Sequence, residues 1–240
     1  MSTSLLPLPE RYGEGRDGYH RLAYAVVAEA RRLATTRFGL RATDGGFGTP
    51  VFGDDEQVRV EAGQLVHRRG GRERRAAITS LAEAASFIGI EPGTAAAEPD
   101  SPALGDVDAP LPLVEVTGQF LARWYAFGWE VLGALCTDAR ALDADEIQLW
   151  PGHFDAATAL GPPDRRATYG ASPGDAAHDA PYLYIGPWQP IDPTDPFWNA
   201  TGFAGAELSY PQLLDAENPT AEAIGFFLEG LGRLSAGHSA

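Results

Sequence analysis

The stretch Ile147-Gln-Leu-Trp-Pro-Gly-His-Phe-Asp-Ala-Ala-Thr-Ala-Leu160 decides how the chain is read. Glu146–Trp150 has the composition of a strand, Pro151-Gly152 interrupts it, and Phe154–Leu160 resumes it, because a Pro-Gly pair does not continue a ladder. Trp150, His153 and Asp155 thereby fall close together on one short piece. His153 and Asp155 stand two residues apart, so on an extended segment they share a face.

Upstream of this stretch the pattern is helical. Val116, Phe120, Trp124, Phe127, Val131 and Leu135 recur at the 3.6-residue period, and Leu121, Gly128 and Leu132 widen the stripe, which predicts a helix from about Val114 to Leu135. The aromatic cluster Trp124, Tyr125, Phe127 and Trp129 reads as core, and Cys136 at its end as a small buried hydrophobe. Residues 91–112 alternate prolines and glycines with Ala, Asp and Glu, a composition that buries no face and marks a crossover or linker. The chain accordingly divides into an N-terminal α+β half (1–95), a crossover (96–112) and a C-terminal α+β half (113–240).

In the first half, residues 1–15 read as an irregular arm. A helix follows from an Asp17 N-cap, with Leu22, Val26, Ala30 and Leu33 on its apolar stripe. Phe38–Thr43, Thr49–Phe52, Gln57–Glu61 and Gln64–Arg68 carry strand character, with turns at Asp44-Gly45-Gly46 and Ala62-Gly63. The arginine run Arg68–Arg75, broken by Gly70-Gly71, marks a further hairpin tip or loop. Ser80 with Glu83 fits a capping box that opens a second helix. Downstream of Leu160, Ala167–Tyr169, Tyr182–Ile185 and Ala206–Tyr210 read as strands. Gly186–Asn199 is an aromatic-bearing irregular loop. Thr220 opens a last helix carrying Ile224, Phe227, Leu231 and Leu234, and Gly237 ends it. The fold class is therefore α+β: antiparallel sheet flanked by about four helices, in two halves alike in outline.

Composition sets the boundaries for function. The chain has 240 residues, 44% hydrophobic and 21% charged, which suits a globular protein. Lysine is absent and a single cysteine, Cys136, is present. Lysine-based chemistry, an internal disulfide and a thiolate metal cluster are thus excluded. The net charge of −15 is uneven: residues 1–95 are near +1 and residues 96–240 near −16. Such a chain repels a phosphate backbone, so nucleic acid is not an expected partner. The sequence shows no signal peptide and no membrane-length apolar run, so a cytoplasmic location without membrane association is expected. No dinucleotide, Walker, nucleophile-elbow or zincin motif occurs, and no cofactor is expected.

Two constellations remain. His153 and Asp155, with His178 on a loop able to fold over them, could serve as general base and orienting partner, or as metal ligands. The plainer reading is a turn-capping Asp155, a backbone-bonded His153 and a solvated His178. Trp150, Tyr169, Tyr182, Tyr184 and Trp188, interleaved with carboxylates, could wall a pocket for a polyhydroxylated or amphipathic ligand. The plainer reading there is a domain core built from rings.

The order of an aromatic-rich helix (Phe120–Leu135), Leu149-Trp150 and then His153-Phe154-Asp155-Ala156-Ala157 resembles an uncharacterised, actinobacterial-type bacterial family. Its motif is a Trp followed by Ser/His-Phe-Asp. The resemblance spans about residues 35–190, departs at Pro151-Gly152, and implies organisation without an activity. A variable first motif position makes Trp150 and Asp155 weightier than His153. Three functional readings follow: a small-molecule binding protein with its pocket in the second half; a hydrolase-type enzyme using Asp155 and His153, with or without a metal; and an interaction module. In the last, the arginine-rich hairpin and the acidic second half are complementary surfaces that permit a homo-oligomer.

Overall fold

The computed structural model describes residues 4–93 and 101–236. The expected helix stop at Gly237 and the first part of the crossover (96–100) lie outside these residues. The fold is α+β with two five-stranded antiparallel sheets, ordered β1-β2-β3-β4-β5 and β10-β9-β8-β7-β6. The chain forms two compact units. One comprises Leu6–Ala126 and Leu149–Phe154; the other is built mainly from Phe127–Gln148 and Asp155–Ala240.

In the first unit, α1 (Tyr12–Leu22) continues through a π-helical turn (Ala23–Ala28) into α2 (Glu29–Thr35). The helix starts five residues before the expected Asp17 cap, across Gly13, Gly15 and Gly18. Two of those glycines disfavour a helix locally but permit close packing. A Cβ on Gly15 would stand 2.7 Å from Thr117 Oγ1, and one on Gly18 3.1 Å from Leu113. The sheet β1 (Arg41–Thr43), β2 (Gly46–Gly48), β3 (Gln57–Glu61), β4 (Gln64–Arg69) and β5 (Arg72–Ala77) follows as a meander. Its inner face carries Phe47, Val58, Val60 and Leu65, all buried. The arginine run forms the β4–β5 hairpin itself, turning at Gly70 (φ 56°) and Gly71 (φ 73°), the left-handed pair a two-residue turn requires. On the outer face Val66 is also buried, flanked in register by Arg59 and Arg75. Those two arginines pair with Glu61 and Glu73 at 2.7–3.0 Å, a charged lattice over an apolar residue. Then comes α3 (Leu81–Ile88), capped by Ser80, whose side chain accepts the Glu83 amide at 3.2 Å. Residues 101–113 of the proline-rich strap are tied back onto the first unit. The Leu111 amide donates to Thr79 O and Arg21 donates to Leu104 O.

Helix α4 (Glu115–Thr137) forms where the stripe predicts it and buries Phe120, Trp124, Phe127, Val131 and Leu135, whereas Val116, in its first turn, is exposed. Its second half belongs to the second unit, with β7 (Asp155–Leu160), β8 (Ala167–Ser172), β9 (Tyr182–Pro187) and β10 (Ala206–Ser209); of β6 (Gln148–Trp150), the last strand in this sheet's order, Gln148 belongs to the second unit and Leu149 and Trp150 to the first. Beyond β10 come a short α5 (Tyr210–Asp215), absent from the sequence expectation, and α6 (Pro219–Ala236). Asn218, not Thr220, caps α6, accepting the Ala221 amide at 3.1 Å. Two glycines bring the helices onto the sheet: a Cβ on Gly128 would lie 2.9 Å from Ala171 Cβ, and one on Gly230 2.3 Å from Ile185 Cδ1. Among the described residues no helix is long and apolar enough to cross a membrane.

Candidate functional site

The Trp150–Phe154 turn is an anchor of the first unit. Trp150 O accepts the Phe154 amide at 2.7 Å, and Phe154 adopts φ 59°, a left-handed conformation that a bulky side chain rarely takes. The surroundings impose it. The Phe154 ring is buried edge-on against Phe47 and Tyr125 and stacks on His20 at 5.1 Å, while its carbonyl accepts the Tyr125 hydroxyl at 2.7 Å. His20 Nε2 contacts Pro151 O at 2.9 Å and Gly152 O at 3.0 Å. Both are acceptors, so Nε2 carries the hydrogen. Burial pulls the imidazole down to about 4 against those two carbonyls, leaving it neutral at physiological pH. His153 itself is exposed. Trp150 is 39% exposed, edge-on to Phe38 at 6.3 Å.

In the second unit, strand register sorts the predicted ring wall onto two faces. Tyr169 pairs with Ile185 and Gly170 with Tyr184, so Tyr169 and Tyr184 point to opposite sides. Tyr169 is fully buried against Phe227, and among the described residues its hydroxyl has no hydrogen-bond partner. Tyr184 lies over Gly170, where a Cβ would come within 2.3 Å of its ring, and its hydroxyl donates to the buried Asp155. Burial first, and then the Asp155 charge, push the Tyr184 phenol well up, so it stays protonated.

Beside this pair, Tyr182 donates to Asp175 at 2.8 Å, and His178 Nδ1 meets Asp175 at 3.0 Å while its Nε2 lies 3.3 Å from Glu207. Burial opposes the Asp175 charge, yet hydrogen bonds from His178, Tyr182 and the Ala177 amide hold its carboxyl below the usual range. Trp188 is 57% exposed at the far end of this face; its Nε1–H donates to Thr168 and the Arg166 guanidinium lies over its ring at 5.2 Å. The structure thus brings Asp155, Tyr182, Tyr184 and His178 into one unit, sends Tyr169 to the core, and leaves Trp150 and His153 in the other unit. Among the described residues no group of three or more His, Cys, Asp or Glu side chains is arranged to hold a metal ion. Asp155 is engaged by Tyr184, and His178 by Asp175 and Glu207.

Sequence reading missed a groove of about 480 Å³ along the β10 edge. The 196–199 loop forms one wall with Phe197 and Asn199, β10 contributes Glu207, and α6 contributes Glu222, Phe226 and Glu229. Asn199 builds this wall by imitating a strand. Its side-chain amide donates to Glu207 O at 3.1 Å and accepts the Glu207 amide at 2.8 Å, which blunts the sheet edge. Phe197 and Phe226 lie 5.7 Å apart with rings tilted by 33°. Glu207 belongs to both the groove and the Tyr182–His178 face. None of the rings expected to wall a pocket lines this groove.

Comparison with known proteins gives no match: no family model, no curated protein and no solved structure is significantly similar to the chain. The functional reading therefore rests on geometry alone. The sequence signal for the groove was present but faint. Glu222, Gly225, Phe226 and Glu229 recur at three and four along α6, opposite the core stripe of Ala223, Phe227 and Leu231. A stripe with two glutamates and a glycine ordinarily reads as a solvated face.

Proposed function

We propose that the chain is a small-molecule binding protein whose site is the β10–α6 groove of the second unit. The observation that carries this reading is the groove itself. Its volume of about 480 Å³ falls within the range of roughly 300–1,000 Å³ usual for ligand sites. Its lining combines two neighbouring aromatic rings, Phe197 and Phe226, with the polar side chains of Gln212 and Glu222, which can orient a ligand. Rings that cover an apolar body beside polar groups that take its head suit an amphipathic organic molecule.

The test is amide-resolved NMR titration of the full chain with three probes sharing one apolar body: 2-phenylethanol, 3-phenylpropanoate and 2-phenylethylammonium. A saturable shift of the Gly225, Phe226 and Glu207 amides by at least one probe is the expected result. Absence of any shift there at millimolar concentrations of all three would refute the site.

A further inference from the structure

Resting on that groove reading, we infer that its ligand is an organic cation, a guanidinium or alkylammonium group carried on an apolar body. The lining holds three carboxylates, Glu207, Glu222 and Glu229, and no arginine or histidine. The wall already binds one cation of the chain's own. The Arg233 guanidinium sits 4.7 Å over the Phe197 ring and pairs with Asp195 at 2.5 Å and Glu229 at 2.6 Å. Ring face plus carboxylate is the arrangement that recognises organic cations, and here it is assembled and occupied on one side of the groove.

The other side repeats the ingredients without the cation. Among the described residues no guanidinium lies over the Phe226 ring, and Glu222 projects from the first turn of α6. Glu207, on β10, is 19% exposed, and its Oε1 atom lies 3.3 Å from His178 Nε2. An anionic ligand would be repelled by these carboxylates, and a neutral one would strip water from them without replacing it. A cation satisfies both rings and acids. A metal ion does not fit, since no three carboxylate or imidazole groups converge among the described residues. The surplus of acid across residues 96–240, near −16, adds a long-range field of the same sign.

The three probes above, titrated at low salt, separate this inference from the groove reading. The ammonium should bind the groove at least about tenfold tighter than the alcohol, the sum of a charge-assisted hydrogen bond and a cation–π contact. The carboxylate should bind weakest. Glu222→Gln, an exposed substitution that leaves the core untouched, should weaken the ammonium several-fold more than it weakens the alcohol. If the alcohol or the carboxylate shifts the same amides at equal or lower concentration than the ammonium, the cation inference falls and the groove stands. An ammonium advantage that survives both Glu222→Gln and Glu207→Gln overturns it too. If no probe shifts the groove amides, both readings fall.

Discussion

Replacing Gly225 with leucine separates folding from binding at the groove. Gly225 lies within α6, lines the groove, and a Cβ built on it meets no atom within 4 Å. A leucine there starts from open space at its Cβ and extends along the groove lining. Its effect on the fold follows from backbone entropy: exchanging glycine for leucine in a helix interior gains about 0.8 kcal/mol. For a chain of this size that raises Tm by roughly 2–3 °C. Gly232 supplies the control. It lies in the same helix, its Cβ also meets nothing within 4 Å, and it is outside the groove lining. Gly225→Leu and Gly232→Leu should therefore show similar small gains in thermal denaturation. Only Gly225→Leu should abolish the amide shifts that 2-phenylethylammonium induces. A fall in Tm on Gly225→Leu alone would show the groove is closed at that point. Equal probe binding by both variants would show the ligand does not occupy it.

The two phenols on opposite faces of the second sheet give opposite expectations by urea denaturation. Tyr169→Phe removes a buried hydroxyl that has no partner among the described residues and should leave stability unchanged or raise it by up to about 1 kcal/mol, whereas Tyr184→Phe takes a donor from buried Asp155 and should cost about 1–3 kcal/mol; the reverse order would refute the sorting of faces. His20 gives a pH dependence. Its folded-state value is depressed from 6.5 to about 4, so its contribution is whole above pH 6.5 and is lost as pH falls towards 4, where the unfolded chain takes up a proton that the folded chain refuses. At about 1.4 kcal/mol per pH unit, that amounts to about 3 kcal/mol; His20→Gln should lack this limb, so that the wild-type-minus-variant difference falls by this amount between pH 6.5 and 4, and a flat difference would exclude His20. At Phe154, the left-handed backbone costs about 1–2 kcal/mol, but truncating a buried phenylalanine costs about 3–5 kcal/mol, so Phe154→Gly should still destabilise by at least about 1 kcal/mol. A Phe154→Gly variant as stable as wild type would mean that packing does not hold the turn.

What was legible in the sequence follows the reach of each signal. The α4 stripe and the strand alternation of Gln57–Glu61 depend on neighbours within a few residues, and both appear where the pattern put them. The start of α1 was hidden because Gly13, Gly15 and Gly18 argue locally against a helix, and the reason for two of them lies a hundred residues away at Thr117 and Leu113. Tyr182 and Tyr184 share a face by parity within one strand, but placing Tyr169 needed the β8–β9 register. Nine residues separate those strands, and a slip of one residue exchanges the faces. His153 drew attention by its proximity to Asp155, while the histidine that holds the turn, His20, sits on a helix 131 residues from the carbonyl it grips.

The groove is the extreme case of the same rule. Glu222, Gly225 and Glu229 read singly as a helix face in water, and the irregular 186–199 loop shows no periodicity. Only when Asn199 pairs with the β10 backbone does Phe197 come opposite Phe226, and only then do the glutamates acquire a common space to look into. That dependence makes Asn199 the weakest point of the site. It supplies two hydrogen bonds to an edge strand, each worth about 1 kcal/mol, so its loss should loosen the wall while the sheet and α6 keep their own packing. Binding at this groove is thereby tied to one side chain that the ligand need not touch.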